Sequence, residues 1–196
     1  MFTGIVGQIG KVTDIADRDG GKRLLIAGTG LSELPVGASI AVNGVCLTVV
    51  ESGESISVDV IPETLRRTSL GELSPDGPVN LELPMAANGR FDGHIVQGHI
   101  DGVGTIAVVD REKHHGTMMT VDVHEDLRHY LVEKGSVTID GVSLTIAGLT
   151  DDGFSVALIP HTLEVTTLGL RKPGDTVNLE MDVLAKYVER LMKVRE

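Results

Sequence analysis

Ile61-Pro62-Glu63-Thr64-Leu65-Arg66-Arg67-Thr68-Ser69-Leu70-Gly71 returns in outline as Ile159-Pro160-His161-Thr162-Leu163-Glu164-Val165-Thr166-Thr167-Leu168-Gly169. Ile, Pro, Thr, Leu, Thr, Leu and Gly fall in the same places. Further on, Val79-Asn80-Leu81-Glu82 repeats as Val177-Asn178-Leu179-Glu180. Upstream, Asn43-Gly44-Val45-Cys46-Leu47-Thr48-Val49 repeats as Asp140-Gly141-Val142-Ser143-Leu144-Thr145-Ile146. A weaker match sets Gly4-Ile5-Val6 on Gly98-His99-Ile100. Blocks in one order at similar spacing mean an internal duplication. Two copies do not make a solenoid, which needs three or more, so each copy reads as a closed domain. The boundary falls in residues 85–93, where Asn88-Gly89 and Asp92-Gly93 signal turns. This divides the chain into residues 1–87, 88–182 and a C-terminal piece, 183–196.

Each copy reads mostly as strand. Ser39-Ile40-Ala41-Val42 and Cys46-Leu47-Thr48-Val49-Val50 flank Asn43-Gly44, a hairpin turn signal. Ser55-Ile56-Ser57-Val58-Asp59-Val60 alternates with period two, as a half-buried strand does. Pro62 suits the first turn of a short helix, and Gly71 suits its left-handed cap. Asp126 to Lys134 reads as another short helix, ending before Gly135. Leu184, Tyr187, Val188 and Leu191 form an apolar stripe in a terminal helix over 183–194 that has no repeat partner. The stripe packs on its own barrel or meets copies of itself in an oligomer.

Composition agrees with an all-β fold. The hydrophobic fraction is 41% with only 3% aromatics and no Trp, so Val, Ile and Leu must fill the cores. The net charge of −11, with 17 basic residues against 28 acidic, argues against nucleic acid as a partner. One cysteine excludes an intrachain disulfide framework. No apolar run is long enough to span a bilayer, and Met1-Phe2-Thr3-Gly4 lacks the features of a signal peptide. A cytoplasmic protein with no membrane partner is expected.

Met1-Phe2-Thr3-Gly4-Ile5-Val6, Asn43-Gly44-Val45-Cys46-Leu47-Thr48, Gly93-His94-Ile95-Val96-Gln97-Gly98-His99-Ile100 and Ile159-Pro160-His161-Thr162-Leu163 together resemble the riboflavin synthase family of the α-chain type. The likeness covers essentially the whole chain. It implies two tandem six-stranded antiparallel Greek-key barrels, a C-terminal helix, and a homotrimer assembled partly through that helix. It implies a reaction in which two molecules of 6,7-dimethyl-8-ribityllumazine exchange a four-carbon unit, giving riboflavin and 5-amino-6-ribitylamino-uracil. No cofactor and no metal is implied, and association with lumazine synthase is a further expectation. Each barrel would hold one lumazine, with the working site between the N-terminal barrel of one subunit and the C-terminal barrel of its neighbour. Duplication suits a reaction between two like substrates, because proximity and orientation alone can be worth on the order of 7–11 kcal/mol.

A group that only holds the ring should recur in both copies; one that distinguishes donor from acceptor should not. Cys46 pairs with Ser143, so the thiol is unique to the first copy. By itself it reads as a small buried hydrophobe or as a polar or nucleophilic group near C7 of the substrate. Ser39 precedes the hairpin, where the second copy reads as one residue shorter. It is a strand serine or a hydrogen-bond partner at the reacting end of the ring. His99 pairs with Ile5 and reads as a linker histidine or a proton shuttle for the C7 methyl. The resemblance selects Cys46, Ser39 and His99 as the reactive set. The substrate linings it implies are Gly4, Ile5, Val6, Leu47, Thr48, Asp59, Val60, Ile61, Pro62, Glu63 and Thr64 from the first copy. From the second they are Gly98, His99, Ile100, Lys134, Ser143, Leu144, Thr145, Leu158, Ile159, Pro160, His161, Thr162 and Leu163. His94 and His99 are not spaced for one helical face, so a metal site is not expected. His114-His115 reads as part of a solvated loop. The competing reading is a non-catalytic lumazine- or flavin-binding antenna-type protein, which would keep the barrels but not the reactive set.

Overall fold

The computed structural model describes residues 1–111 and 116–193, so His114 and His115 lie outside the described residues. The first barrel comprises β1 (Gln8–Arg18), β2 (Gly21–Ala27), β3 (Ser39–Val42), β4 (Val45–Glu51), β5 (Ile56–Val60) and β6 (Pro78–Glu82). They close in the order β1-β2-β5-β4-β3-β6. The second comprises β7 (Gly102–Asp110), β8 (Thr117–Val123), β9 (Ser136–Ile139), β10 (Val142–Leu149), β11 (Gly153–Leu158) and β12 (Thr176–Met181). Read from β7, its closed order is β7-β8-β11-β10-β9-β12, the same topology. Three hairpin-linked strands with a fourth returning beside the first make each a Greek key. The chain is all-β apart from short helices and a C-terminal helix.

Local irregularities are duplicated too. Bulges occur at Val12/Asp14 and Ile106/Val108, and again at Val49/Glu51 and Ile146/Gly148. Each bends and twists a strand where the sheet must curl shut. Inside, each barrel has its own aliphatic core. Ile40, Leu47, Ile56 and Val58 belong to the first, and Val137, Ile146, Phe154 and Val156 to the second.

The barrels are joined about a local pseudo-twofold. Asn43-Gly44 and Asp140-Gly141 form left-handed hairpin turns, with φ of 45° and 79° against 47° and 78°. The turns meet back to back. A Cβ on Gly44 would lie 2.6 Å from the Gly141 nitrogen, and one on Gly141 2.7 Å from the Gly44 nitrogen. Matched side-chain amides flank them. Asn80 Nδ2 donates to the Asp140 carbonyl (2.9 Å), while Asn80 Oδ1 accepts from the Thr167 N–H (2.7 Å). Asn178 repeats the pattern with the Asn43 carbonyl (2.9 Å) and the Ser69 N–H (2.7 Å). Both amides are buried, so these bonds fix the relative orientation of the barrels as well as satisfying the amides.

Two local features depart from the sequence expectations. The helix expected over 126–134 is one turn, α2 (Glu125–Arg128), after which the chain bends so that Leu131 enters the second core. The helix begun by Pro62, α1 (Pro62–Arg67), ends at Thr68 in an extended conformation. Gly71 is therefore not its left-handed cap; it lies in the following 3₁₀ turn, where a Cβ would come 3.3 Å from the Leu65 carbonyl. The third helix, α3 (Pro160–Val165), repeats α1. The terminal helix, α4 (Val183–Lys193), holds the barrel by its polar side. Tyr130 Oη donates to Glu189 (2.5 Å) and Lys186 pairs with Asp101 (2.6 Å). Its apolar stripe, Leu184, Tyr187, Val188 and Leu191, is more than half exposed.

Candidate functional site

The alternation that buries Ile40, Leu47 and Val49 turns Ser39, Ala41, Cys46 and Thr48 to the other side of the β3–β4 hairpin. Ala41 opposes Cys46, and Ser39 opposes Thr48. In the second barrel Thr138 opposes Ser143, and Ser136 opposes Thr145. Ser136 is thus the counterpart of Ser39. No residue is missing from the second copy, and the serine recurs. The asymmetry on this face lies in Cys46 against Ser143 and Ala41 against Thr138.

Each hairpin face is covered by a segment from the other repeat. The Cys46 N–H donates to the Gly98 carbonyl (2.8 Å), and the Ser143 N–H to the Gly4 carbonyl (2.7 Å). Ile100 packs on the first core and Val6 on the second. Hence His99, which belongs to the second copy by sequence, lies beside the Cys46 face of the first barrel. Ile5 lies beside the Ser143 face of the second. The approach requires glycine. Gly4 and Gly98 have φ of 77° and 78°, and a Cβ on either would stand 2.6 Å from the Cβ of Ser143 or Cys46.

Two buried carboxylates clamp these segments. Glu82 accepts from the Thr3 N–H (2.7 Å), the Thr3 hydroxyl (3.0 Å) and the Gly4 N–H (3.1 Å). Glu180 accepts from the Gln97 N–H (2.7 Å) and the Gly98 N–H (2.9 Å). Burial pushes both carboxyls above the ordinary range, against the pull of these hydrogen bonds.

The expected lining residues divide by placement. Leu47, Val60 and Leu158 are buried core residues, and Leu144 and Leu163 pack against the second core. Ile5, Ile61 and Ile159 are 49%, 62% and 57% exposed, so apolar rims stand open in the isolated subunit. Thr48, Thr145, His99 and His161 are exposed, and Cys46, Ser39, Ser143, Thr64 and Thr162 half-buried. A cleft of about 180 Å³ takes in Asp59, Val60, Ile61 and Pro62. Asp59 spends both carboxylate oxygens on Arg23, at 2.7 and 2.8 Å, and the hydrogen bond from Arg23 holds it below its ordinary value. Glu63 pairs with Arg66 and Arg67 along α1. Pro160, at the start of α3, is exposed. Lys134 keeps a left-handed φ of 67° in the turn before β9, with its N–H on the Ile146 carbonyl. Gly37 makes the matching bond to Val49 in the first barrel, so the second carries a cation at a position glycine fits more easily.

His94 is a site residue the sequence reading missed. Its Nδ1 lies 2.8 Å from Ser143 Oγ, and its N–H donates to the Thr3 carbonyl. The matched block in the second copy starts at Gly98, after His94, so comparing the copies does not single it out. Burial lowers its pKa, with Asp182 opposing the shift. A depressed imidazole contributes stability present above its ordinary value near 6.5, lost as pH falls through the folded value. His94→Gln should therefore flatten the acid limb of a melting-temperature profile below about pH 6.5. An unchanged limb would dissociate His94 from that titration.

A lumazine binding domain family matches the chain twice, over residues 3–84 and 97–182. Riboflavin synthase from Actinobacillus pleuropneumoniae is 48% identical over 194 residues, 98% of this chain and 90% of the relative. Riboflavin synthase from Bacillus subtilis is 43% identical over 194 residues, with the same coverage of 98% and 90%. Among solved structures, LumP complexed with riboflavin superposes with a TM-score of 0.83 at 30% identity, covering 92% of this chain and 99% of that one.

Proposed function

The chain belongs to the riboflavin synthase family and its function is that of a riboflavin synthase; from that premise we propose how its own residues divide the work. Two molecules of 6,7-dimethyl-8-ribityllumazine occupy one first-barrel face and one second-barrel face. One gives its four-carbon unit to the other, yielding riboflavin and 5-amino-6-ribitylamino-uracil. The products together contain every atom of the two substrates, so the exchange needs no added oxidant or reductant. The observation that carries the assignment is the crossing of the repeats. It brings Cys46 and His99, two residues with no like partner in the other copy, to one face.

On that face Cys46 offers a thiol or thiolate near C7, and His99 a base to take and return a proton of the C7 methyl. Ser39, recurring as Ser136, holds the ring, as do Thr48 and Thr145. The opposite face, with Ser143 bonded to His94, has hydroxyl and imidazole groups but no thiol, and Lys134, whose ammonium lies at the Ala147 carbonyl, is the remaining basic candidate on that barrel. We assign the chain three functional parts, residues 1–87, 88–182 and 183–196. We assign the working assembly to a homotrimer in which the first barrel of one subunit faces the second barrel of its neighbour. The open apolar rims at Ile5, Ile61 and Ile159 and the uncovered stripe of α4 support that assembly. The free thiol of Cys46 and the want of any disulfide partner suit a reducing, cytoplasmic setting.

Mixing the purified protein with the lumazine alone should produce riboflavin fluorescence. Cys46→Ala should cut turnover by at least about a hundredfold while leaving lumazine affinity within a few fold. Undiminished turnover would remove the thiol from the chemistry. Tight binding by the unmodified protein with no riboflavin formed would support the antenna-type alternative.

A further inference from the structure

We propose that Asp101, gripped by Lys186 of α4, is a positioning residue that fixes the His99 segment on the first-barrel face and couples the terminal helix to it. The inference rests on reading His99 as part of the working face.

Residues 97–101 are tied down on both sides of His99. Before it, Glu180 takes the Gln97 and Gly98 N–H groups, and the Gly98 carbonyl receives the Cys46 N–H. After it, the Asp101 N–H donates to the Leu179 carbonyl (2.9 Å). The Asp101 carboxylate then accepts from the Met181 N–H (2.8 Å) and takes Lys186 Nζ on both oxygens, at 2.7 and 2.6 Å. Both partners of this pair are mostly buried, with side chains 19% and 26% exposed, so the contact is shielded from bulk solvent.

The pseudo-twofold supplies an internal control. Gly7 stands where Asp101 stands, and its N–H donates to the Leu81 carbonyl (2.9 Å) just as that of Asp101 donates to Leu179. The backbone tie recurs; the carboxylate tie does not, because Gly7 has no side chain. Nor does a helix follow β6 as α4 follows β12. The extra restraint therefore falls on the one crossing segment that carries a histidine. The segment carrying Ile5 goes without it. Because Lys186 of α4 holds both oxygens of Asp101, a shift of the helix at Lys186 would bear on residues 97–101.

The test is a double-mutant cycle between the strap and His99. Asp101→Asn keeps an acceptor for the Met181 N–H and loses the charge; Lys186→Met removes the other partner. Each should lower kcat by at least about tenfold with KM within about twofold, as loss of orientation rather than of binding. In a His99→Gln background the same changes should cost nothing further. Losses that multiply in that background would overturn the proposal, since a purely structural strap acts whether or not His99 is present. So would undiminished turnover in Asp101→Asn alongside a damaged His99→Gln. A silent His99→Gln with a damaged Asp101→Asn would overturn both the proposal and the role given to His99. For Lys186→Met, turnover restored by raising protein concentration would assign the loss to assembly instead, and overturn the coupling.

Discussion

Gly98→Ala should reduce riboflavin formation by about a hundredfold or more, while Gly30→Ala leaves it nearly intact. Both glycines have left-handed φ, 78° and 70°, so alanine is strained at either place by roughly 1–2 kcal/mol. What separates them is space. A Cβ at Gly30 meets nothing within 4 Å. A Cβ at Gly98 would stand 2.6 Å from Cys46 Cβ and 2.8 Å from its nitrogen, and a hydrogen-bonded backbone cannot yield as a flexible side chain does. The crossing segment must lift away. That lengthens the bond from the Cys46 N–H to the Gly98 carbonyl and moves His99 from its neighbour. Overpacking costs about 1–3 kcal/mol more, which most domains survive, so a folded but slow protein is expected. Circular dichroism would confirm folding, and a kcat close to that of the unmodified protein would break the link between crossing and chemistry. Gly4→Ala makes the matching test on the Ser143 face.

The crossing also marks where sequence reading ran out. The hairpins were legible because Asn43-Gly44 has the chemistry of a left-handed turn. The β5 strand was legible from the alternation of Ile56, Val58 and Val60, and α1 from Pro62. The duplication was legible in whole blocks. These are local signals, or comparisons of one stretch with another. Which barrel a segment lies on is neither. Val6 and Ile100 are aliphatic and would pack on either core, so His99 was grouped with the copy it follows in the chain. The deciding contacts, Gly98 on Cys46 and Gly4 on Ser143, join residues far apart in sequence. The gap expected beside Ser39 has a different cause. The partner of Ser39, Ser136, sits at the same distance from the hairpin turn, but the surrounding residues differ enough to suggest a gap. His94 lies outside the matched blocks, so comparing the copies does not single it out. The region from Asp126 to Lys134 has helical residues, yet burying Leu131 and turning at Lys134 override that propensity.

Replacing Val188 and Leu191 of α4 with aspartate should dissociate the protein to its 20.8 kDa subunit and remove nearly all turnover, with little change in subunit folding. Ordinarily an amphipathic helix turns its apolar stripe to its own core. Here the polar side is docked. Glu189 takes the Tyr130 hydroxyl, and hydrogen bonds from Lys193 and Tyr130 hold its pKa down to about 2, so the contact survives mildly acidic buffers. Leu184, Tyr187, Val188 and Leu191, at 56% to 67% exposure, leave most of their surface uncovered in the isolated subunit. Each would contribute roughly 1.5–3 kcal/mol if fully buried, enough in sum for a stable assembly. An aspartate in that seam forfeits the gain and adds the cost of burying a charge. Turnover should fall with dissociation because, in the proposed assembly, the two reacting faces come from different subunits. Within one subunit the pseudo-twofold instead sets the hairpin turns against each other. Sedimentation velocity and riboflavin formation measured on the same sample decide the matter: a monomer with undiminished turnover would return both substrates to a single chain.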